Sequence, residues 1–261
     1  MESTLTPEAA LASLAWQIEL GATEAIGDVP LNRYDLPEKS AKPPTRTAGA
    51  SSAPAPQATD PVAEAEATAR AAPTLDALRA AMAAWPHCPL RQGARSLVFA
   101  DGRPGARVMI LGEAPGREED IAGRPFVGRA GQLLDRMLAA IGLDRHAEDP
   151  ARAVYITNVL PWRPPQNRDP QPEEIAMMRP FVARHVALAA PDLLILMGNI
   201  SCEAGLNRRG ITRLRGQWAE AFGRPALPMF HPAYLLRNPA AKREAWADLI
   251  LLKSLLGKAA E

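Results

Sequence analysis

Apolar residues follow two rhythms along this 261-residue chain. Short runs with few polar breaks, at Ser96–Ala100, Val108–Gly112, Val154–Asn158, Leu193–Met197 and Ala226–Phe230, have the length of buried strands. Between them apolar positions recur every three or four residues, near Gly131–Ile141, Pro172–Ala189, Ile200–Leu206 and Lys242–Leu256. That is the spacing of helices with one covered face. Thr74 is placed to cap a further helix through Leu75, Leu78 and Met82. The alternation predicts an α/β fold: a single three-layer α/β/α domain over residues 75–261 with a mainly parallel central sheet. Ligands of such sheets sit beyond the carboxyl ends of the strands.

The leading residues keep neither rhythm for long. Thr6-Pro7-Glu8 resembles a helix start, and Leu11, Leu14, Ala15 and Ile18 then share a face, so residues 1–30 are expected to form a helical segment. Residues 31–74 are dominated by Pro, Ala, Ser, Thr and charge, as in Ala48-Gly49-Ala50-Ser51-Ser52-Ala53-Pro54. They read as a disordered linker. No internal repeat is evident.

Charge separates the same parts. Residues 1–74 hold 5 Lys/Arg against 10 Asp/Glu, and residues 75–261 hold 25 against 19, although the whole chain nets only +1. Arg dominates the basic total of the second part and suits bidentate phosphate contact, which permits nucleic acid without singling it out. Two cysteines, Cys88 and Cys202, make no disulfide framework, so a reducing cytoplasm is expected. No apolar run reaches membrane-spanning length, and Met1-Glu2-Ser3-Thr4 lacks the regions of a signal peptide.

Four strand ends hold the candidate chemistry. Gly112-Glu113-Ala114-Pro115-Gly116 has neither the lysine of a P-loop nor dinucleotide glycine spacing. Glu113 either hangs over a ligand, orienting a water or steadying a cation, or is a solvated turn residue. Gly123-Arg124-Pro125-Phe126-Val127-Gly128 sets an aromatic ring between glycines, either a presented plate or a core residue. Thr157-Asn158 ends a strand with an amide that donates and accepts together, or merely caps a turn. Phe230-His231-Pro232 precedes Ala233-Tyr234-Leu235-Leu236-Arg237, with leucines beside an arginine. A fifth segment, Leu214-Arg215-Gly216, is as readily an ordinary turn.

Together the motifs resemble the uracil-DNA glycosylases, most closely the group usually called family 4, from about Leu75 to Gly257. The resemblance implies that fold, uracil-containing DNA as partner, and flipping of the uracil nucleotide before hydrolysis of its N-glycosidic bond. It implies Glu113, Asn158 and His231 as catalytic residues. Gly112, Ala114, Phe126, Asn158 and Glu119 would surround the base. Pro115, Pro232, Leu235, Leu236, Arg237 and Arg215 would meet DNA, the leucines as a wedge in the vacated stack. Glu119 would be the second candidate for Glu113's task, with Glu118 and Asp120 solvated.

The family's four cysteines for a 4Fe–4S cluster align here with Trp85, Cys88, Trp162 and Met178. One thiolate does not hold such a cluster, so no cofactor and no metal are expected. A self-cross-linking relative carries a basic, His-containing insertion after Thr-Asn; Pro161–Arg168 has none, which implies turnover. Two other readings stay open: a non-catalytic DNA-binding or scaffold protein of the same fold, and a nucleotide hydrolase using the acidic run with a metal. A monomer is expected, with the N-terminal helix available to a protein partner.

Overall fold

The computed structural model describes residues 60–258 together with Thr6, Leu11, Leu14, Ala15 and Gln17. Leu11, Leu14, Ala15 and Gln17 are helical; Ile18, the other residues of the expected N-terminal segment apart from Thr6, and residues 31–59 lie outside the described residues. Of two units, Met1–Ala55 and Pro56–Glu261, the second carries the sheet.

Its strands are β1 (Asp101–Gly102), β2 (Val108–Gly112), β3 (Val154–Asn158), β4 (Leu193–Met197), β5 (Ala219–Ala221) and β6 (Arg224–Met229), in the spatial order β1-β3-β2-β4-β6-β5. The four inner strands run parallel, and the short edges β1 and β5 are antiparallel to their neighbours. Every residue of β2, β3 and β4 is buried, which explains why they read as near-continuous apolar runs. Val108 lies in register with both Val154 and Leu193, so β2 is the centre. The chain steps from β2 to β3 on one side, then crosses to β4 on the other. The carboxyl ends of β2 and β4 therefore part at a topological switch point.

The helices are α1 (Pro61–Ala71), α2 (Leu75–Ala84), α3 (Leu90–Gly93), α4 (Arg117–Ala122), α5 (Arg129–Ala140), α6 (Pro172–Ala189), α7 (Asn199–Leu206), α8 (Ile211–Leu214), α9 (Pro232–Arg237) and α10 (Lys242–Lys258). Alternate strand residues sort into two cores, as the pleat requires. Met109, Leu111, Tyr155, Leu194 and Leu196 meet α1, α2, α6 and α7. Val108, Ile110, Val154, Ile156, Ile195 and Met229 meet α5, α9 and α10. The predicted three-layer fold is present. Among the described residues no helix is long and apolar enough to cross a membrane.

Two expectations need correction. Ser96–Ala100 is not a strand: Val98 N–H donates to Pro161 O (2.8 Å), Ser96 N–H to Asp120 Oδ1 (3.0 Å), and Phe99 O accepts from Thr157 Oγ1 (2.6 Å). Its backbone groups find partners outside a ladder. The stretch expected as disordered linker holds α1, which begins with Asp60 Oδ1 accepting from Val62 N–H and Pro61 at the first turn. Ala65 and Ala69, four apart, are buried against the α6 layer, and Arg184 Nε donates to Ala72 O (2.9 Å). Alanine packs closely but contributes little apolar signal, so composition alone hides this helix.

A chain beginning at Pro73, lacking α1, is therefore expected to be ~1–2 kcal/mol less stable, lowering Tm by roughly 2–8 °C. A chain beginning at Asp60 should melt like the full protein. Calorimetry of the pair checks this, and equal melting temperatures would show that α1 adds nothing.

Candidate active site

The loops after β2, β3 and β6 converge on a cavity of about 290 Å³ whose lining includes Glu113, Phe126, Asn158, Arg168, His231 and Arg237. Gly112 lies against two of these lining residues, Asn158 and Phe126. A Cβ there would collide with Asn158 Oδ1 and lie 2.5 Å from the Phe126 ring, so only glycine lets these groups meet. Ala114, Pro115 and Gly116 form the next stretch of wall.

Two carboxylates of the acidic run beyond them are engaged with backbone N–H groups. Glu119 Oε2 accepts from Gly116 N–H (3.1 Å), while Oε1 accepts from Val127 N–H (3.0 Å) and Gly128 N–H (2.9 Å). It lines the cavity, yet its oxygens staple the Glu113 loop to the Phe126 loop. Asp120 is buried rather than solvated, because Oδ1 accepts from Arg95 N–H (2.9 Å) and Ser96 N–H (3.0 Å). Glu118 is exposed, as expected.

Phe126 is buried and has φ +53°, a left-handed conformation that is strained for an aromatic residue. Its ring centroid lies 5.3 Å from that of His231, at 30°. Arg145, which nothing in the sequence singles out, grips the Phe126 backbone: Nη2 donates to Phe126 O and Nη1 to Pro125 O, both at 3.1 Å.

Asn158 is 5% exposed, and among the described residues its amide makes no side-chain hydrogen bond. Although the residue is mostly covered, its amide atoms open on the cavity, where a ligand can pair with them. His231 Nδ1 accepts from Ala233 N–H (3.2 Å) at the start of α9. The neutral ring therefore carries its hydrogen on Nε2, the other edge. Burial first, then the Arg237 cation, pushes the His231 pKa down to about 4. Burial first, then Asp169, pushes the Glu113 carboxyl up to about 7, against the opposing pull of Arg209 and Arg237. Asp169, Arg209 and Arg237 share with Glu113 and His231 an adjoining cavity of about 250 Å³.

The leucine wedge is not brought out as the motif suggested. Leu235 is 1% exposed and belongs to the core with α5 and α10, because Pro232–Arg237 is a helix rather than an open loop. Leu236 is half-buried against that core, Arg237 is exposed at the cavity, and Pro232 is buried. Arg215 is engaged within the protein. It makes a two-pronged ion pair with buried Asp248, donates to Glu244 O (2.7 Å) and lies 5.5 Å over the Phe230 ring. It ties α8 to α10.

The residues aligned with a cluster do not fit one. Trp85, Cys88, Trp162 and Met178 all lie buried in a single apolar core, Trp85 edge-on to Phe181 with centroids 5.2 Å apart. Burial pushes the Cys88 thiol up to about 11, opposing the thiolate that ligation needs. Trp85 Nε1 is buried without a partner, a donor where a ligand atom would be required. Among the described residues no three His, Cys, Asp or Glu side chains are grouped to hold a metal.

The family model described as the uracil DNA glycosylase superfamily matches residues 99–250. The chain is similar to a type-4 uracil-DNA glycosylase of Thermotoga maritima, 38% identical over 176 residues, covering 66% of this chain and 88% of the relative. It is also similar to a type-4 uracil-DNA glycosylase of Archaeoglobus fulgidus, 37% identical over 180 residues and covering 66% and 87%. A type-5 uracil-DNA glycosylase of Pyrobaculum aerophilum is 30% identical over 145 residues, covering 51% and 64%.

Proposed function

The chain belongs to the uracil DNA glycosylase superfamily, and from that membership we propose that it flips uracil out of DNA and hydrolyses the N-glycosidic bond, leaving an abasic site. The observation that supports this most is the Asn158 amide, which makes no side-chain hydrogen bond among the described residues and lines one cavity with Phe126, His231 and the half-buried Glu113.

The flipped base stacks on Phe126, an offset π contact. Asn158 pairs with O4 and N3–H of uracil; cytosine presents the reversed pattern and leaves both partners unpaired, at roughly 1–3 kcal/mol. His231 donates Nε2–H to O2. As the bond to the sugar breaks, its electron pair passes to the base, and that donor meets the charge collecting on O2. Its low pKa keeps the ring neutral throughout the working range, so it acts by hydrogen bonding in a site that excludes water. The Glu113 carboxylate faces the sugar as it becomes cationic and orients the water that adds to it, as carboxylates do in other glycosidic hydrolyses. An acid stands in this turn because the charge it meets is a developing cation.

Arg237 at the rim, with Pro115 and Pro232 behind it, is read as the DNA-facing side, and no iron–sulfur cluster takes part in the fold. The chain acts as a monomer in this reading.

The carboxylate requirement gives the pH dependence its sign. Excision should rise with pH up to about 7 and then level, because the uncharged Glu113 carboxyl is inactive. Stability runs the other way: a carboxyl whose folded pKa lies above its unfolded value stabilises the fold at low pH, and that contribution is lost as pH climbs through about 7. A pH–rate profile on an oligonucleotide with one uracil tests both the activity and the assignment. Glu113→Gln should give slow excision without the slope; a wild-type profile flat from pH 5 to 8 would remove Glu113 from this role, and no abasic product at any pH would overturn the function itself.

A further inference from the structure

We propose that Arg145 is a positioning residue that sets the plane of the Phe126 ring and hence the depth at which a base enters the cavity. This rests on the reading of the cavity as a uracil site.

Arg145 follows α5, on a segment tied to the sheet layer by Asp144 N–H donating to Arg152 O (2.9 Å) and by a bridge to Ala153. Its side chain is 4% exposed. Nε donates to Asp135 Oδ1 (2.8 Å), Nη1 to Asp101 Oδ2 (3.1 Å) and Pro125 O, and Nη2 to Phe126 O; Nη2 also pairs with Asp135 (2.7 Å). The rigid guanidinium fork thus joins β1 and α5 to two consecutive carbonyls of the aromatic loop.

Those carbonyls belong to the strained turn. A left-handed Phe126 persists only where its surroundings over-determine it. On the carbonyl side stands Arg145; on the amide side stands Glu119, bonded to Val127 N–H and Gly128 N–H. Gly131 completes the seat, since a Cβ there would overlap Phe126 O. With Phe126 O pulled toward Arg145, the ring is turned to the other side, against Gly112 and His231. Two acids neutralise the buried cation, so the device adds no net positive charge inside the protein.

Arg145→Lys keeps the charge but replaces the fork by one nitrogen that does not reach both carbonyls and both acids. Uracil excision under single-turnover conditions should fall about 100-fold, the order expected when a contact is displaced by an ångström. Binding of a duplex carrying a non-hydrolysable 2′-fluoro-deoxyuridine should weaken, while binding of a duplex carrying an abasic analogue, with no base to stack, should not change. A merely structural role would weaken both duplexes together, and that result, or wild-type excision, would overturn the proposal. If Arg145→Lys does not fold, Asp135→Asn loosens the same guanidinium from a half-exposed position and should show a smaller effect of the same kind; its matching wild type in all three assays would also overturn it. Failure of the unaltered protein to excise uracil would instead strike the functional reading.

Discussion

Asn158→Asp is expected to lose uracil excision several-hundred-fold while the protein stays folded. Asn158 ends β3 in register with Gly112, and its amide lines the cavity and makes no side-chain hydrogen bond among the described residues. Uracil offers it one acceptor and one donor. An ionised carboxylate in its place loses the donor and sets negative charge against O4, and a protonated one offers cytosine the complementary pattern. The unpaired contact and the repulsion together amount to roughly 3–4 kcal/mol. The variant should therefore release uracil very slowly and cytosine in trace. Excision rates on paired uracil and cytosine oligonucleotides, with a melting curve beside them, decide the matter. Unchanged uracil kinetics in the folded variant would take Asn158 out of base recognition.

Trp162→Ala is expected to have the largest effect on stability, ~3–5 kcal/mol, or roughly 10 °C in Tm. Trp162 is 3% exposed and lies in one core with Trp85, Cys88 and Met178. It also ends a segment that holds the site: Val159 N–H donates to Gly112 O and Leu160 N–H to Glu113 O, both at 3.0 Å, while Pro161 O accepts from Val98 N–H. Truncation should thus weaken uracil binding as well as folding. Trp85, Trp162 and Met178 stand where three cluster cysteines would align, packed in one apolar core, so the purified protein is expected to be colourless and free of iron. Wild-type melting and activity in Trp162→Ala would show that the Trp core adds little, and stoichiometric iron in the native protein would overturn the packing argument.

Much of the fold is readable before any coordinates because its strands are covered on both faces. Val108–Gly112 and Leu193–Met197 have no polar alternation to confuse them, and Pro172–Ala189 is marked by Pro at its first turn. Ser96–Ala100 has the same apolar character but gives its hydrogen bonds to Asp120, Pro161 and Thr157, partners 24 or more residues away that no local pattern reveals. The α1 helix is missed because Ala65 and Ala69 read equally as low complexity. In the site, Glu113, Phe126, Asn158 and His231 stand in motifs and do meet at one cavity. Arg145 does not, since its role is to hold carbonyls, which carry no sequence mark. Leu235 misleads in the opposite direction: beside an arginine it resembles a probe, but a helical turn aims it inward.

The crossing of the chain over β2 also governs the order in which the molecule can assemble. β2 and β4 are neighbours in the sheet, although the ion pair between Arg107 and Asp192 at their base spans 85 residues of sequence. Closing so long a loop costs entropy before any contact repays it, and folds built on such distant pairings are slow to form. His231 comes later still, after β6 has joined the far side of β4. A nascent chain that has just completed β4 already holds the carboxylate, the aromatic ring and the amide, but not the imidazole. During that interval the edge of β4 that β6 will cover has no neighbour, so an open strand edge and an unfinished site coincide.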